Sequence, residues 1–353
     1  MAAGGDGLVT RERSGEDPAR PDRVVISDVA GLSGVSKMTV SRVLNGHPQV
    51  SPHTRARVLS AIDVLGYRPS SAARALATGR SRVLGAVSFN TDLHGPAAIL
   101  SGIEQAAREA GYFLSAVTLQ PASPWTAKAV IRHLEAQAVD GIILSSPHAW
   151  AADAARYLAG RTPLVVLDAE AGAVPSVAVD QYAGAAAALA HLLELGHRTV
   201  WHVAGPGGWL SARARERGWR DALEGAGRPV PPVGRGDWSA RSGYEQGRRI
   251  AENKDVTAIF AANDQMALGV LRALRESGAD VPGDVSLVGF DDVPEAECFW
   301  PPLTTVRQDF AEVGRRSLEL LLQQVEGSQR SGQHIVVEPD LVVRESSGPP
   351  PGR

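Results

Sequence analysis

The chain has 353 residues, of which 44% are hydrophobic and 21% are charged, a composition ordinary for globular proteins. Its length allows two or three domains, and no apolar run reaches the roughly 20 residues of a membrane span. A single cysteine, Cys298, excludes an intrachain disulfide. Because the first residues also lack a signal-peptide core, we expect a cytoplasmic protein.

The formal net charge of −3 is unevenly distributed, since residues 21–82 carry nine Lys and Arg against three Asp and Glu. A basic module on an acidic body indicates a nucleic-acid-binding head.

Residues 1–22 are rich in Gly, Pro and alternating charge, so we expect a disordered tail there. Residues 23–68 begin with ISDVAGLSGVSKMTVSRVLN, which has the pattern of a helix-turn-helix. Ser27 and Asp28 are typical capping residues, so a first short helix is predicted to start there. Gly34 then supplies the turn, because a residue without Cβ can take a positive φ. The inward face of the first helix is predicted to consist of Val29, Ala30 and Leu32.

A second helix is predicted over Lys37–Leu44, with Ser36 as its cap. Its inward face is predicted to consist of Val40, Val43 and Leu44. On the opposite face, residues four apart lie side by side, namely Lys37 with Ser41 and Met38 with Arg42. Hydrogen-bond donors and a flexible apolar arm on one exposed face suit base edges in a DNA major groove. The alternative interpretation is a plain helical hairpin with a basic surface.

A third helix is predicted from Pro52, with Gly66 as its stop signal. Its inward residues at helical spacing are Val58, Ile62 and Leu65. Residues 69–81 follow, and they form either a short hinge helix or an inert linker. So short a helix is marginal in water, so it would fold only when held against DNA and a dimer mate. Moving the two protomers of a dimer slightly apart would then unfold the hinge helix.

The segment DVAGLSGVSKMTVSRVLN resembles the headpiece of the LacI/GalR (lac repressor) family of bacterial transcription regulators, which typically contains DVAxxAGVSxxTVSRVLN. The resemblance continues through VSPHTRARVLSAIDVLGYRPSSAARALATGR and, at lower density, to LVVRESS at 341–347. It departs from the pattern at Leu32 and Ser33. It implies a homodimer that binds a pseudo-palindromic operator in double-stranded DNA, with Leu76 wedged into the minor groove. The DNA-contacting residues it implies are Ser36, Lys37, Met38, Thr39, Ser41, Arg42, Asn45, Tyr67, Ala73 and Leu76.

From Arg82 onward, apolar strands alternate with helices, and the rhythm repeats after a helix near 182–195. This alternation predicts parallel sheets covered by helices on both faces. The predicted fold class is therefore α/β, with a core over 82–347 that consists of two doubly wound subdomains. The family resemblance implies the architecture of periplasmic sugar-binding proteins, with three strand crossovers. Residues 348–353 are predicted to be a tail without a coiled-coil heptad, so we expect a dimer rather than a tetramer.

Ligands of open α/β sheets bind at the carboxyl ends of the strands. Carboxylates, amides and arginine at those ends suit a polyhydroxylated ligand, and an indole face can pack on a sugar. Asp180 and Asp264 could equally cap helices, and Asp292 could be a turn residue. Trp201 and Trp219 are expected in the core. The strand-end residues considered are Asp168, Asp180, Asn263, Asp264, Asp291 and Asp292, with Arg215 and Trp238 in neighbouring loops.

The family resemblance implies a set of residues that contact a small effector. We expect Arg215 and Asp291 to lie in a wet cleft, so that replacing either one abolishes the ligand response without unfolding the protein. A mono- or disaccharide is favoured over a purine, and the ligand is expected to release DNA. The implied effector-binding residues are Pro96, Asp168, Ser211, Arg215, Trp238, Asn263, Phe290, Asp291 and Gln308.

Enzyme motifs are missing from the sequence. It contains no P-loop, no G-x-S-x-G and no G-x-G-x-x-G, and its histidines are scattered. No catalytic residue, cofactor or metal site is therefore predicted. We predict a transcriptional regulator, a repressor, whose operator affinity is controlled allosterically by a sugar. The alternatives are a sugar-binding protein without a regulatory role and an α/β enzyme that acts on sugars.

Overall fold

The computed structural model describes residues 24–44, 46–68, 79–119, 127–145, 161–168, 174–327 and 332–352. The chain divides into two compact units, Met1–Arg80 and Ser81–Arg353, which we call the headpiece and the core. The predicted tail and nearly all of the predicted hinge lie outside the described residues, as do Asn45, Ala73 and Leu76. Within the described ranges, no helix is long and apolar enough to cross a membrane.

Three helices form the described part of the headpiece: α1 (Ile26–Ser33), α2 (Lys37–Leu44) and α3 (Pro52–Leu65). Ser51 caps α3, because its hydroxyl accepts the backbone N–H of Thr54 at 3.2 Å. Gly66 ends α3 in the left-handed conformation, as predicted. The helices enclose a small apolar core that consists of Val29, Ala30, Val40, Val43, Val58 and Ala61.

The start and the inward face of α1 differ from the sequence prediction. The helix begins before the predicted capping residues, and the carboxylate of Asp28 accepts the backbone N–H of Val25 at 2.8 Å from within the first turn. Leu32 is 56% exposed, so its predicted place in the core is wrong. Ser33 is buried instead, because its hydroxyl donates to the carbonyl of Val29 at 2.6 Å and so needs no solvent partner.

The turn between α1 and α2 depends on Gly34, which has a φ of 63°. A Cβ at Gly34 would approach the guanidinium of Arg57 to 2.8 Å. That guanidinium donates to the carbonyls of Ser33 and Gly34, so α3 holds the end of α1. Arg55 donates in the same way to the carbonyl of His47 at 3.0 Å. Both arginines of α3 are therefore engaged within the headpiece itself.

The core alternates strands and helices. Its elements are, in chain order, β1 Val83–Phe89, α4 His94–Glu109, β2 Phe113–Leu119, α5 Ala127–Ala136, β3 Gly141–Ser145, β4 Leu164–Leu167, β5 Ser176–Val179, α6 Gln181–Glu194, β6 Trp201–Ala204, α7 Leu210–Gly225, β7 Gly234–Arg235, α8 Ala240–Ala251, β8 Ala258–Ala261, α9 Asp264–Glu276, β9 Ser286–Asp291, a 3₁₀ helix Pro294–Cys298, β10 Thr304–Arg307, α10 Phe310–Val325, β11 His334–Val337 and β12 Asp340–Val342.

These strands form two sheets. The first has the order β11-β5-β4-β3-β1-β2, and every neighbouring pair is parallel. The second has the order β12-β10-β9-β8-β6-β7, and among its described strands only β12 runs antiparallel to its neighbour. Central strands such as β3 and β4 are buried apolar runs, because helices cover both faces of a parallel sheet.

The chain crosses between the sheets three times, from β5 to β6, from β10 to β11 and from β11 to β12. The first sheet with α4, α5 and α10 forms the N-subdomain, and the second sheet with α6, α7, α8 and α9 forms the C-subdomain. Helices pair as α4 with α10, α6 with α7 and α8 with α9. The two doubly wound subdomains and the three crossovers are as predicted.

Most core elements lie within a few residues of their predicted positions, and two were not anticipated. Strand β7 lies in a segment predicted to be only turns, and a 3₁₀ helix follows β9. The helix predicted near 150–159 lies outside the described residues. The apolar segment near the C-terminus forms two strands that join different sheets, which no local pattern could show.

Asp140 fixes the residues at which the core begins. Its carboxylate accepts the backbone N–H groups of Ser81 at 2.8 Å and Arg82 at 2.9 Å, and the hydroxyl of Ser81 at 2.9 Å. Arg82 has a φ of 58°, which is costly for a residue with a Cβ. The three hydrogen bonds hold this unfavourable backbone in place at the start of β1.

Candidate functional site

A cleft lies between the two subdomains of the core, at the carboxyl ends of their strands. Its empty volume is about 670 Å³, including the open space at its mouth. The position agrees with the predicted ligand site. The N-subdomain contributes Phe89, Leu93, His94, Gly95, Pro96, Ile99, Ser145, Asp168 and Phe310, and the C-subdomain contributes Gln181, Trp209, Ser211, Arg215, Trp238, Asn263, Asp291 and Gln308.

Four residues on the floor of the cleft form a closed hydrogen-bonded ring, which we call the polar ring. Arg215 Nε donates to Gln181 Oε1 at 2.8 Å. Gln181 Nε2 donates to Gln308 Oε1 at 2.7 Å, and Gln308 Nε2 donates to Asp291 Oδ1 at 2.6 Å. The ring is closed by Arg215 Nη2, which lies 3.4 Å from Asp291 Oδ1. The charged pair is thus linked both directly and through two amides.

The charged pair of the polar ring is buried, so the expectation of a wet environment for it is wrong. Arg215 is 4% exposed and Asp291 is 7% exposed. The guanidinium of Arg215 also donates to the carbonyl of Ala262 and lies 3.7 Å from the ring centre of Phe290. Burial lowers the pKa of Arg215 and raises the pKa of Asp291, and the attraction between the two opposes both shifts. Removing one member would leave the other as an unpaired buried charge.

Asp168 lies beside the polar ring but is not part of it. It follows β4 directly and has a φ of 54°. Burial raises the pKa of its carboxyl to about 6, and the nearby charge of Arg215 opposes that shift. Its side chain is partly exposed to the cleft, so the carboxylate can accept hydrogen bonds from a ligand.

Aromatic rings form one wall of the cleft, which we call the aromatic wall: Phe89, Trp209 and Trp238. Phe89 and Trp209 meet edge to face with ring centres 6.3 Å apart, and Trp209 meets Trp238 at 5.5 Å. Gly205 lies beneath the indole of Trp238, where a Cβ would approach that ring to 2.3 Å. Asn263 Nδ2 donates to the carbonyl of Trp238 at 3.1 Å. The wall joins both subdomains, because Phe89 ends β1 and both tryptophans belong to the C-subdomain.

Among the predicted effector-binding residues, Phe290 is the one that does not line the cleft. It is fully buried beneath the guanidinium of Arg215, so it supports that side chain rather than facing a ligand. Asn263 lines the cleft but also caps α9, because its Oδ1 accepts the Met266 backbone N–H at 3.0 Å. The other predicted residues line the cleft as expected: Pro96, Asp168, Ser211, Arg215, Trp238, Asp291 and Gln308.

Several cleft residues escaped the sequence analysis. Gln181 is the first residue of α6, next to Asp180, and its amide is central to the polar ring. Trp209 precedes α7 in the loop GPGGW, which follows β6. Both residues follow the end of a strand in the sequence, and that position could have identified them as cleft residues. The others, which carry no comparable signal, are Phe89, Leu93, His94, Gly95, Ile99, Ser145 and Phe310.

The other strand-end aspartates have structural partners. Asp180 caps α6, because its carboxylate accepts the Ala183 backbone N–H at 2.8 Å. Asp264 is not a cap; it accepts from Thr305 Oγ1 at 2.6 Å and from the Val293 backbone at 2.9 Å, and burial raises its pKa to about 8. Asp292 does more than occupy a turn, since it pairs with arginines on two sides. Those partners, each at 2.7 Å, are Arg307 and Arg344.

Of the tryptophans expected in the core, Trp219 is fully buried, and Trp201 is partly buried against the C-subdomain core. Among the described residues, no cluster of His, Cys, Asp and Glu could hold a metal ion.

The headpiece presents an exposed face along α2. Lys37, Met38 and Arg42 are all exposed, Met38 by 64%. Ser36 caps the helix as predicted, because its hydroxyl accepts the Thr39 backbone N–H at 3.1 Å. The remaining described members of the predicted DNA-binding set are partly buried: Thr39, Ser41 and Tyr67, of which Tyr67 packs against the headpiece core.

Comparisons with known proteins cover nearly the whole chain. The family described as bacterial regulatory proteins, lacI family, matches residues 25–70, and the periplasmic binding protein-like domain matches residues 189–347. The lactose operon repressor of Escherichia coli (strain K12) is 36% identical over 321 residues, which are 89% of this chain and 88% of the repressor.

Two solved structures of such regulators are also similar. A lac repressor dimer bound to operator and the anti-inducer ONPF superposes with a TM-score of 0.83 at 34% identity, covering 93% of this chain and 100% of that one. A complex of the transcriptional regulator CelR with cellobiose gives a TM-score of 0.69 at 35% identity, covering 92% and 100%.

A helix-turn-helix headpiece on a two-lobed core with a central cleft defines a ligand-responsive DNA-binding regulator. The chain belongs to the lacI family of bacterial regulatory proteins. It is a DNA-binding transcriptional regulator and not an enzyme, as the sequence predicted.

Proposed function

We propose that a mono- or disaccharide binds in the cleft and releases a homodimeric, cytoplasmic repressor from its operator. The observation that carries this proposal is the pairing of a polar floor with an aromatic wall in one cleft. Asp168 and the polar ring offer acceptors and donors to sugar hydroxyls. The aromatic wall offers flat apolar faces to the C–H side of a sugar ring. The related CelR was solved with cellobiose, which favours the same ligand class here.

The effector contacts we propose combine residues from both subdomains. Asp168 accepts ligand hydroxyls directly, while Arg215 and Asp291 act from within the polar ring. Trp238 packs on the sugar, and Asn263 supports it by holding its carbonyl. Pro96, Ser211 and Gln308 complete the cleft surface, and Phe290 acts only through Arg215.

We propose that α2 carries the DNA-reading residues. Lys37, Met38 and Arg42 are exposed side by side, so they can reach base edges in a major groove. Ser36, Thr39, Ser41 and Tyr67 would set the position of that helix on the DNA backbone. Asn45, Ala73 and Leu76, which lie outside the described residues, remain predicted contacts. The related lac repressor was solved as a dimer on its operator, which supports two headpieces on two half-sites.

Regulation would follow from ligand contacts on both subdomains. A ligand that prefers one relative orientation of the subdomains shifts the population toward it, and that orientation favours or disfavours DNA binding by the dimer. Such couplings typically amount to about 1–3 kcal/mol.

The test begins with an operator selected from randomised duplexes by the wild-type protein. Operator affinity is then measured with cellobiose, lactose, maltose, glucose, galactose and hypoxanthine. We expect at least one sugar to weaken operator binding about 5- to 150-fold. Asp168→Asn should lose most of this response at the same sugar concentration, whereas Asp340→Asn, an exposed residue on β12, should keep it. An unchanged response in Asp168→Asn, or a response to hypoxanthine alone, would contradict the proposal.

A further inference from the structure

Two consecutive residues at the end of β9 depart from the extended conformation of a strand. Asp291 has a φ of 112° and Asp292 has a φ of 53°. Residues with a Cβ rarely adopt such angles, so the surrounding structure has to hold them in place. Asp291 supplies the carboxylate of the polar ring. The backbone conformation at these two residues therefore decides whether that carboxylate reaches its partners.

The two aspartates are bonded to two consecutive residues at the end of the neighbouring strand β10. Gln308 Nε2 donates to Asp291 Oδ1 at 2.6 Å, and Arg307 Nε donates to Asp292 Oδ2 at 2.7 Å. In the parallel pairing of β9 with β10, Arg307 lies opposite Asp291. The chain passes into the N-subdomain directly after these residues. The aspartates thus hold the chain where the second crossover begins.

Arg344, which follows β12, holds Asp292 from another side. Its Nη2 lies 2.7 Å from Asp292 Oδ1. Its Nη1 donates to the carbonyl of Leu303 at 2.8 Å, and its backbone N–H donates to Thr304 Oγ1 at 2.9 Å. Arg344 is therefore fixed by the start of β10 while it binds Asp292. We call Asp292, Arg307 and Arg344 the ion triad.

The ion triad lies outside the cleft. None of its three members is among the described residues that line the cleft, and the side chain of Arg307 is 53% exposed. The carboxylate of Asp292 is only 8% exposed, so it depends on these cations for its charge to be tolerated. Asp291 has a separate cation, Arg215. The two adjacent carboxylates are thus neutralised from different directions.

We propose that Asp292 is a positioning residue for the effector response, because it holds the backbone that directs the Asp291 carboxylate into the polar ring. This inference rests on the proposed function, in which the polar ring takes part in effector binding. The charge-assisted bonds to the two arginines offset the unfavourable backbone angles. Without them, the backbone at Asp292 relaxes, and Asp291 loses its alignment with Gln308 and Arg215. The ion triad then sets ligand affinity without contacting the ligand.

The first test needs no ligand and is a double-mutant cycle on urea unfolding. Arg344→Gln removes one cation of the triad, and Gln308→Met removes the amide that donates to Asp291. Gln308 is uncharged, so direct attraction between charges does not couple the two positions. If the triad positions Asp291, Arg344→Gln already weakens the bond to Gln308, and the two losses overlap.

We expect the unfolding equilibrium constant of this double variant to differ at least about threefold from the value for independent effects. The control is Arg249→Gln, an exposed arginine of α8, which should combine with Gln308→Met to within about twofold of independence. Independent effects of Arg344→Gln and Gln308→Met would overturn the inference.

The second test measures sugar affinity by calorimetry. The probe is whichever of cellobiose, lactose and maltose binds the wild-type protein most tightly. Arg307→Gln should bind it about 3- to 30-fold more weakly, although Arg307 does not line the cleft. Arg307→Lys keeps a cation and should bind more tightly than Arg307→Gln, and Arg249→Gln should bind as the wild type does. Unchanged affinity in Arg307→Gln, even with a loss of stability, would reduce the triad to a structural role and overturn the inference.

Replacements of Asp292 itself test the role of the backbone. Asparagine tolerates a positive φ and keeps an oxygen that accepts from arginine, whereas alanine does neither. Asp292→Asn should therefore bind the sugar more tightly than Asp292→Ala, and equal affinities would contradict the inference. If no sugar binds to the wild-type protein, the proposed function is overturned, and the unfolding cycle alone then decides whether the triad positions Asp291.

Discussion

The headpiece and the cleft place their functional residues in opposite environments. In the headpiece, Lys37, Met38 and Arg42 are exposed on α2, while other residues supply the core and the capping bonds. In the cleft, Arg215 and Asp291 are buried and bonded to the residues that support them. Function and stability can therefore be changed separately in the headpiece, whereas in the cleft the same side chains carry both.

Individual arginines of the headpiece and of the cleft show the same contrast. Arg57 of α3 donates to the turn carbonyls after α1, so it belongs to the headpiece structure although it lies in the basic module. Arg42 of α2 is exposed and available to DNA. Arg215 combines a functional and a structural role, since it faces the cleft and also donates hydrogen bonds to Gln181, Ala262 and Asp291.

The largest effect should come from Arg215→Ala. It leaves Asp291 buried without its cation, so we expect a loss of about 3–5 kcal/mol in the free energy of unfolding. Urea denaturation of the variant against wild type measures this. The exposed Arg249→Ala on α8 is the matched control and should change stability by less than about 0.5 kcal/mol. A variant Arg215→Ala as stable as this control would show that stability and function are separable in the cleft too.

Arg42→Ala should affect DNA binding and leave stability unchanged. The loss of a base contact should cost about 1–3 kcal/mol on the selected operator and relax specificity at one base pair per half-site. Binding is measured on the operator and on single-base variants at fixed salt. The same loss on every sequence would mean that Arg42 contacts only phosphate. A drop in the unfolding free energy of the headpiece would contradict the claim that function and stability can be changed separately there.

Ligand affinity should fall as the pH is lowered through about 6. The raised pKa of Asp168 means that its carboxyl is ionised above about 6 and protonated below, where it accepts ligand hydroxyls less well. At pH 5 about one-tenth remains ionised, so affinity should fall by up to about tenfold relative to pH 7. Calorimetry over this range measures it. Asp168→Asn should show a flatter profile, and an equally steep one would assign the titration to another group.

The smallest effect is expected at Leu32, which the sequence placed in the headpiece core. Because its side chain is 56% exposed, Leu32→Ala should change the unfolding free energy by less than about 0.5 kcal/mol. Val40→Ala, at a fully buried position of α2, is the comparison and should cost several times more. Thermal unfolding of the two variants measures the difference. A larger loss of stability for Leu32→Ala than for Val40→Ala would contradict this prediction.

Local patterns were sufficient for the elements and for most of the cleft. Buried strands such as β3 and β4 are continuous apolar runs. Strand-end residues such as Asp168 and Asp291, which belong to different sheets, meet because the carboxyl ends of the strands of both sheets face the cleft. The prediction for Leu32 failed because a helix of eight residues spans too few turns for its apolar periodicity to choose between neighbouring positions. A serine that bonds its own helix backbone can replace an apolar residue inside.

What the sequence could not supply were partnerships across long distances in the chain. Gln181 and Gln308 meet in the polar ring although 127 residues separate them. The family resemblance implied that Phe290 contacts the effector, but alternation along β9 turns its ring away from the side of Asp291, under Arg215. Burial of the charged pair likewise depends on how both subdomains enclose it, which no single segment encodes.

The three hydrogen bonds of Asp140 determine where the core can be separated from the rest of the protein. A protease that cuts before Ser81 leaves all of them intact, so the released fragment should keep its thermal stability and its sugar binding. A cut after Arg82 removes all three donors and leaves a carboxylate with no partner at the start of β1. The durable fragment in a digestion series should therefore retain Ser81, and mass spectrometry of its new terminus would locate the boundary to within a residue.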